Sequence, residues 1–379
     1  MKLVIASDSF KGSLSSGQVA DIVADEATHA FGSCEVARLA VADGGEGTVD
    51  AVVSSLGGER EYVRVSGPLG DPVLAAYGLL PDSRAIIEMA AASGLPLLTA
   101  AERNPLRTST YGTGQLILDA LERGATDISL AIGGSATNDG GMGMARALGV
   151  RFLDEKGGEL EGVGADLGRV SAIDLSGLDP RVRKASFHVM CDVDNPLVGP
   201  RGSARVFAPQ KGATPQMVEE LERGMASYAA VLEKTFGIRV ADVSGAGAAG
   251  GLGAAARAFL GAEMVRGVDW VLDLVGMDAA LAGADLCFTG EGHADAQSAH
   301  GKLLSGVAAR CRSNGVPCVA FVGGMDADAQ ELLACGIDAL VPCVIDVCDI
   351  SQALSQAERN LRLAAARTFS LLSLGARLG

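Results

Sequence analysis

Leu3-Val4-Ile5-Ala6 is a short unbroken apolar run, the pattern of a strand buried on both faces of a parallel sheet. A polar turn over 8–12 follows. Ser15-Ser16 then stand where a cap is needed for a helix carrying Val19, Ile22, Val23 and Ala27. The pattern predicts a second strand over 36–41, a Gly-rich turn over 43–48 and a helix through residue 53. Short runs at 63–65, 74–79 and 85–89, split by Gly-Pro-Leu-Gly and Pro81-Asp82-Ser83, predict antiparallel strands. A strand over 128–132 precedes a Gly-rich stretch and a helix over 144–148. From about Asp285 the alternation returns: strands over 286–289, 318–322 and 339–341, helices over 303–311 and 327–335, and a last helix over 351–372.

Parallel strands with covering helices at both chain ends, around a different middle, predict an α/β protein whose one sheet is built from both termini. Residues 1–65 and 285–379 form that domain; 66–284 form an inserted α/β domain carrying the Gly-rich loops.

Composition narrows the chemistry. With 379 residues the chain has room for two or three domains, and 48% hydrophobic residues support a large core. A net charge of −15 argues against a nucleic-acid binder or an anionic membrane surface as partner. An anionic ligand would need backbone N–H groups, a few Lys or Arg, or a bound cation. The eight cysteines form no CxxC pair and read as small buried thiols, not as a disulfide framework or zinc site. No signal peptide and no apolar run of membrane length is visible, so a cytoplasmic location is expected.

The segment Ile132 to Gly143, with Gly133-Gly134-Ser135-Ala136-Thr137-Asn138, follows a predicted strand and opens a helix. Glycines let a backbone approach an anion, and Ser135, Thr137 and the helix-start N–H groups can donate to phosphate. A capped tight turn is the plainer reading. Gly245 to Gly250 matches GxGxxG, with 238–243 as a possible preceding strand and Asp269 downstream for a ribose. This seeds a dinucleotide-dehydrogenase alternative. No Walker A sequence is present. Asp8, Asp43, Glu46, Glu88, Asp192, Asp194, Glu291 and Asp295 sit at strand ends or in Gly-rich turns, where ligands of open α/β sheets bind. Asp8, Asp43 and Glu291 follow apolar runs and are expected on one rim. Lys11, Arg107, Lys211 and Lys302 are the nearby cations. His29 and His188 read as structural.

Together these blocks resemble bacterial glycerate kinases of the type-1 class. They comprise Asp8-Ser9-Phe10-Lys11, Asp43-Gly44-Gly45-Glu46-Gly47-Thr48, Tyr111-Gly112-Thr113-Gly114, Gly133 to Gly141, Cys191-Asp192-Val193-Asp194-Asn195, Pro209-Gln210-Lys211-Gly212, Thr289-Gly290-Glu291-Gly292, Asp295-Ala296-Gln297-Ser298 and Gly301-Lys302. The resemblance implies Mg²⁺-dependent transfer of the ATP γ-phosphoryl group to D-glycerate, usually giving 2-phosphoglycerate. It also implies a flavodoxin-like domain made from both ends, an inserted α/β domain and an interdomain cleft. On this reading Asp192 or Asp295 is the base, with Asp192 preferred, and Lys11 holds the substrate carboxylate. Asp8, Ser9, Asp43, Glu46, Arg107 and Lys302 complete the substrate site. ATP lies on Gly133, Gly134, Ser135, Thr137, Asn138 and Lys211, and Asp295 and Glu291 hold the metal. A homodimer stays open. Two departures stand out. The family usually has Pro where this chain has Ser7, and Gly-Arg-Ile-Asp where it has Gly292-His293-Ala294-Asp295. The latter also leaves a catalytically inactive sugar-acid binding protein as an alternative.

Overall fold

The computed structural model describes residues 1–295, 298 and 302–378. The chain begins with β1 (Lys2–Ser7) and β2 (Glu35–Ala40) and continues with β3 (Glu59–Ser66), β4 (Pro72–Leu80), β5 (Arg84–Glu88) and β6 (Asp127–Ala131). It runs on through β7 (Arg151–Leu153), β8 (Ala172–Asp174), β9 (Ser186–Met190) and β10 (Glu263–Val265), then β11 (Leu286–Ala294), β12 (Cys318–Met325) and β13 (Ala339–Pro342). It divides into two compact units. The first contains Met1–Asp43, Asp50–Leu56 and Val268 onward; the second contains Gly44–Val49 and Gly57–Gly267.

The first unit is a five-stranded sheet in the order β13-β12-β11-β1-β2, every pair parallel. Counted within the unit this is the 2-1-3-4-5 order of flavodoxin-like sheets, whose direction of winding reverses between β1 and β11. β1 is buried from Leu3 to Ser7 because helices cover both faces, which explains its unbroken apolar run. Edge strand β2 is half exposed. Ser15 caps the helix Ser16–Phe31, its Oγ accepting from the Gln18 N–H. That helix packs on the terminal helix Ala357–Leu378. Phe288 stacks on Phe321 and meets Phe369 edge-on, filling the core between sheet and helices.

The second unit has a six-stranded sheet, β10-β9-β6-β5-β4-β3. β3, β4 and β5 pair antiparallel, as the turn-split runs predict, whereas β5, β6, β9 and β10 are parallel. The expected strand over 238–243 does not form; those residues are turn and coil. The expected last helix is two, Ile350–Ser355 and Ala357–Leu378, the first capped by the Asp349 carboxylate accepting from the Gln352 N–H.

Candidate active site

In the first unit, Asp8 leaves the end of β1 and Glu291 lies in the C-terminal part of β11, at the point where the sheet's winding reverses. They line a cavity of about 370 Å³ with Ser9, Lys11, Asp43 and Lys302. The remaining wall is largely apolar: Phe10, Leu303, Val344, Ala353 and Leu354. The Asp8 N–H donates to the Gly290 carbonyl at 2.9 Å, tying the first turn to β11, and the Ser9 N–H donates to Asp8 Oδ1 at 2.7 Å.

The electrostatics are unusual for carboxylates. Burial pushes the Asp8 carboxyl up to about 6; the Asp43 charge adds to the rise, while the Ser9 N–H and Lys11 oppose it. Burial pushes Glu291 up to about 7, against Ser298 and Lys302, with the charges of Asp8 and Asp295 reinforcing the rise. Glu291 Oε1 is buried and has no hydrogen-bond partner among the described residues. Asp295 Oδ1 accepts from the Ser298 N–H at 3.0 Å and lies 4.0 Å from Lys302 Nζ. Lys302 is the N-cap of the helix Leu303–Asn314, so the positive end of a helix dipole adds to the two lysines. His293 lines the same cavity, its Nε2 3.2 Å from Asp326 Oδ1. Ala296, Gln297, His300 and Gly301 lie outside the described residues.

The Gly-rich stretch after β6 belongs to the second unit. Gly133 and Gly134 are its exposed part, Gly134 with φ of 73°. Two backbone hydrogen bonds pin this loop: Leu95 N–H to the Gly134 carbonyl at 2.8 Å and Ala136 N–H to the Ser93 carbonyl at 2.9 Å. The side chains expected to reach phosphate face inward instead. Thr137 and Asn138 are fully buried and Ser135 is nearly so, because the chain dives into the core after Gly134. Asn138 Nδ2 donates to Ser203 Oγ at 3.3 Å. Lys211, read from sequence as a turn lysine reaching a ligand, is also buried; its ammonium donates to Ser135 Oγ at 2.8 Å and the Thr137 carbonyl at 2.7 Å. Burial lowers its pKa to about 7, although the Asp139 charge raises it.

The helix-start N–H groups are not offered to a ligand either. Asp139 carries its own carboxylate into that position, accepting from Gly141 N–H, Gly143 N–H, Thr110 N–H and Thr110 Oγ1. An Asp just before an expected helix is the sequence signal for this cap. The GxGxxG segment is corrected too. No strand precedes it, and Ala249, Gly250 and Gly251 take positive φ inside it. A Cβ on Gly250 would stand 2.0 Å from the Thr137 carbonyl. These glycines therefore let two backbones touch behind the 133–141 loop, and among the described residues this segment does not open a dinucleotide-binding βαβ unit.

The other expected residues also fall in the second unit. Asp192 is exposed and its Oδ1 accepts from the Gly267 N–H at 2.9 Å. Glu46 and Arg107 are exposed, the latter in a turn closed by its N–H on the Asn104 carbonyl. Glu88 Oε1 accepts from the Val49 N–H at 2.8 Å. Thus Asp8, Ser9, Lys11, Asp43, Glu291 and Lys302 meet in one cavity of the first unit, with Asp295 beside Lys302. Within the second unit, Gly133 to Asn138 form a loop pinned from behind by Lys211. Sequence reasoning missed the apolar wall from the chain's end, including Leu354, and buried Asn360 on the same wall. A polar side chain on the core face of the last helix was the available signal.

A family profile, the glycerate kinase family, matches residues 3–373. The chain belongs to the glycerate kinase family. Among curated family proteins it is 45% identical to a glycerate kinase of Halalkalibacterium halodurans over 364 residues, 96% of each chain. It is 43% identical to the glycerate 2-kinase of Escherichia coli over 378 residues, 100% of this chain and 99% of that one. A solved structure of a candidate glycerate kinase 2 from Salmonella typhimurium superposes with a TM-score of 0.93 at 43% identity, covering 100% of this chain and 99% of the other. Family membership makes the chain an enzyme of phosphoryl transfer to glycerate, with ATP as donor, and removes the dehydrogenase and inactive-binder alternatives. Among the described residues no helix is long and apolar enough to cross a membrane.

Proposed function

We propose that the chain transfers the ATP γ-phosphoryl group to the 2-hydroxyl of D-glycerate and that the first-unit cavity receives the glycerate. The observation that carries this is the meeting of two lysines with two carboxyls of raised pKa, buried Asp8 and half-buried Glu291, in one small-molecule cavity. Lys11 and Lys302, with the N-terminus of the helix Leu303–Asn314, hold the carboxylate. The printed name of the Escherichia coli relative supports position 2.

Glu291, rather than Asp192, takes the hydroxyl proton in this mechanism. A base near pKa 7 matches a neutral operating pH, and its Oε1 has no hydrogen bond among the described residues to give up. Asp192 has one oxygen tied to Gly267, and Asp295 orients Lys302. Asp8 and Asp43 offer hard oxygen donors of the kind Mg²⁺ takes one or two at a time beside phosphate oxygens, which leaves Glu291 Oε1 for the proton. When bound, the ion would neutralise phosphate charge. The exposed Gly133-Gly134 backbone receives the ATP phosphates, while Ser135, Thr137, Asn138 and Lys211 keep the loop's shape from behind.

A coupled ATPase assay with D-glycerate, followed by ³¹P NMR of the product, tests the reaction. Comparing Glu291→Gln with Asp192→Asn tests the base. Glu291→Gln should lower kcat by about 10²–10⁴-fold, with Asp192→Asn much milder. The reverse order would return the base to Asp192, and a 3-phosphate product would reject the assigned hydroxyl.

A further inference from the structure

At the other end of the same sheet lies a second cluster that phosphoryl transfer does not use. The sulfur atoms of Cys287, Cys311 and Cys318 all lie within 4.8 Å of one another. They come from three elements: Cys287 is the second residue of β11, Cys318 the first of β12 and its register partner, and Cys311 lies on the helix Leu303–Asn314. All three are fully buried. The active-site cavity is lined by Glu291, Gly323 and Gly324, farther along the same two strands.

Three convergent thiols from three rigid elements make a preformed soft-ligand set. Its surroundings decide which charge it tolerates. The Asp338 carboxylate accepts the Cys318 N–H at 2.7 Å, and Asp338 and Asp278 both disfavour a thiolate at Cys311. Arg310 on the same helix is engaged by Asp273 and Asp278. Three thiolates around Zn²⁺ would leave one net negative charge in this acidic, apolar place, and around Cu⁺ two. A buried uncompensated charge is costly. A trivalent centre leaves none.

We infer that Cys287, Cys311 and Cys318 form a three-thiol site for a trivalent thiophilic main-group species, of which arsenite is the simplest. In the step, three As–O bonds of arsenous acid and three S–H bonds break. Three As–S bonds form, three waters leave with the thiol protons, and arsenic stays As(III).

The test uses the full-length enzyme in a monothiol-free, phosphine-reduced buffer with sodium arsenite as probe. Native mass spectrometry should show one arsenic gained and three protons lost per chain. The thermal unfolding midpoint should rise with arsenite concentration. Cys311→Ala and Cys318→Ala should each lose the three-proton adduct and the midpoint rise, whereas Cys335→Ser should keep both. If the two cluster variants fail to fold, the wild-type adduct's proton count and a competition with Zn²⁺ decide alone. No adduct, an adduct missing fewer than three protons, an adduct that survives Cys311→Ala, or zinc displacing arsenite at equal concentration would each overturn the inference.

Discussion

Replacing Lys211 by Met should remove a pH dependence that the wild-type second unit carries above neutrality. The ammonium is fully buried beneath the 133–141 loop, and desolvation takes its pKa from 10.5 to about 7. The native side chain is therefore half protonated near pH 7, while its unfolded counterpart stays protonated until near 10.5. Between those values the unfolded chain binds more protons, so stability rises with pH and is lost as pH falls through 7. Two pH decades, from 7 to 9, are worth 1.36 kcal/mol each, less the part already titrated at pH 7; the gain is about 2 kcal/mol. Urea unfolding followed by circular dichroism at pH 7, 8 and 9, for wild type and Lys211→Met, reads the difference directly. The Met variant should also raise KM for ATP, because Ser135 Oγ and the Thr137 carbonyl lose their donor. Parallel stability curves for the two proteins, or a wild-type curve that falls with pH relative to the variant, would refute the reasoning.

Other consequences are equally direct. Glu291 and Asp8 hold protons more tightly folded than unfolded, so their contribution is full below about pH 4 and is lost as pH rises through 6 to 7. Glu291→Gln should accordingly stabilise the first unit at pH 8 and make no difference at pH 4; equal melting shifts at both would contradict this. In wild type, kcat/KM should climb on the acid side through about pH 7, a limb that Glu291→Gln abolishes if Glu291 is the base. Asp139→Asn turns an acceptor of four hydrogen bonds into a mixed group, which should cost about 2–4 kcal/mol of stability; an unchanged unfolding midpoint would remove the cap assignment. Gly250→Ala should abolish soluble folding or activity, whereas Gly261→Ala, with no atom within 4 Å of its Cβ, should cost only the backbone strain of its φ of 65°, about 1 kcal/mol. Excess chelator should stop turnover and Mg²⁺ restore it; full activity in chelator would exclude the oxygen-donor role given to Asp8 and Asp43.

The hydrophobic pattern by itself determined the two kinds of sheet. Unbroken runs such as Leu3 to Ala6 are affordable only where both faces are covered, and the Pro-Asp-Ser break between β4 and β5 leaves little but a reversal. Acidic residues after such runs lie toward strand ends, which puts Asp8 beyond β1, Asp43 beyond β2 and Glu291 in the C-terminal part of β11, on one rim. Only the tertiary structure decided which way side chains face in irregular segments, where no period of 2 or 3.6 reports direction. Thr137, Asn138 and Lys211 turn inward, Asp139 takes the helix terminus expected for phosphate, and Gly245 to Gly253 serve close packing. The convergence of Cys287, Cys311 and Cys318 was equally hidden. Their spacing carries no motif, and proximity arises only when a helix lies across two paired strands. Raised carboxyl pKa values belong to the same class of fact: they come from burial and neighbouring charge, which are properties of the folded chain.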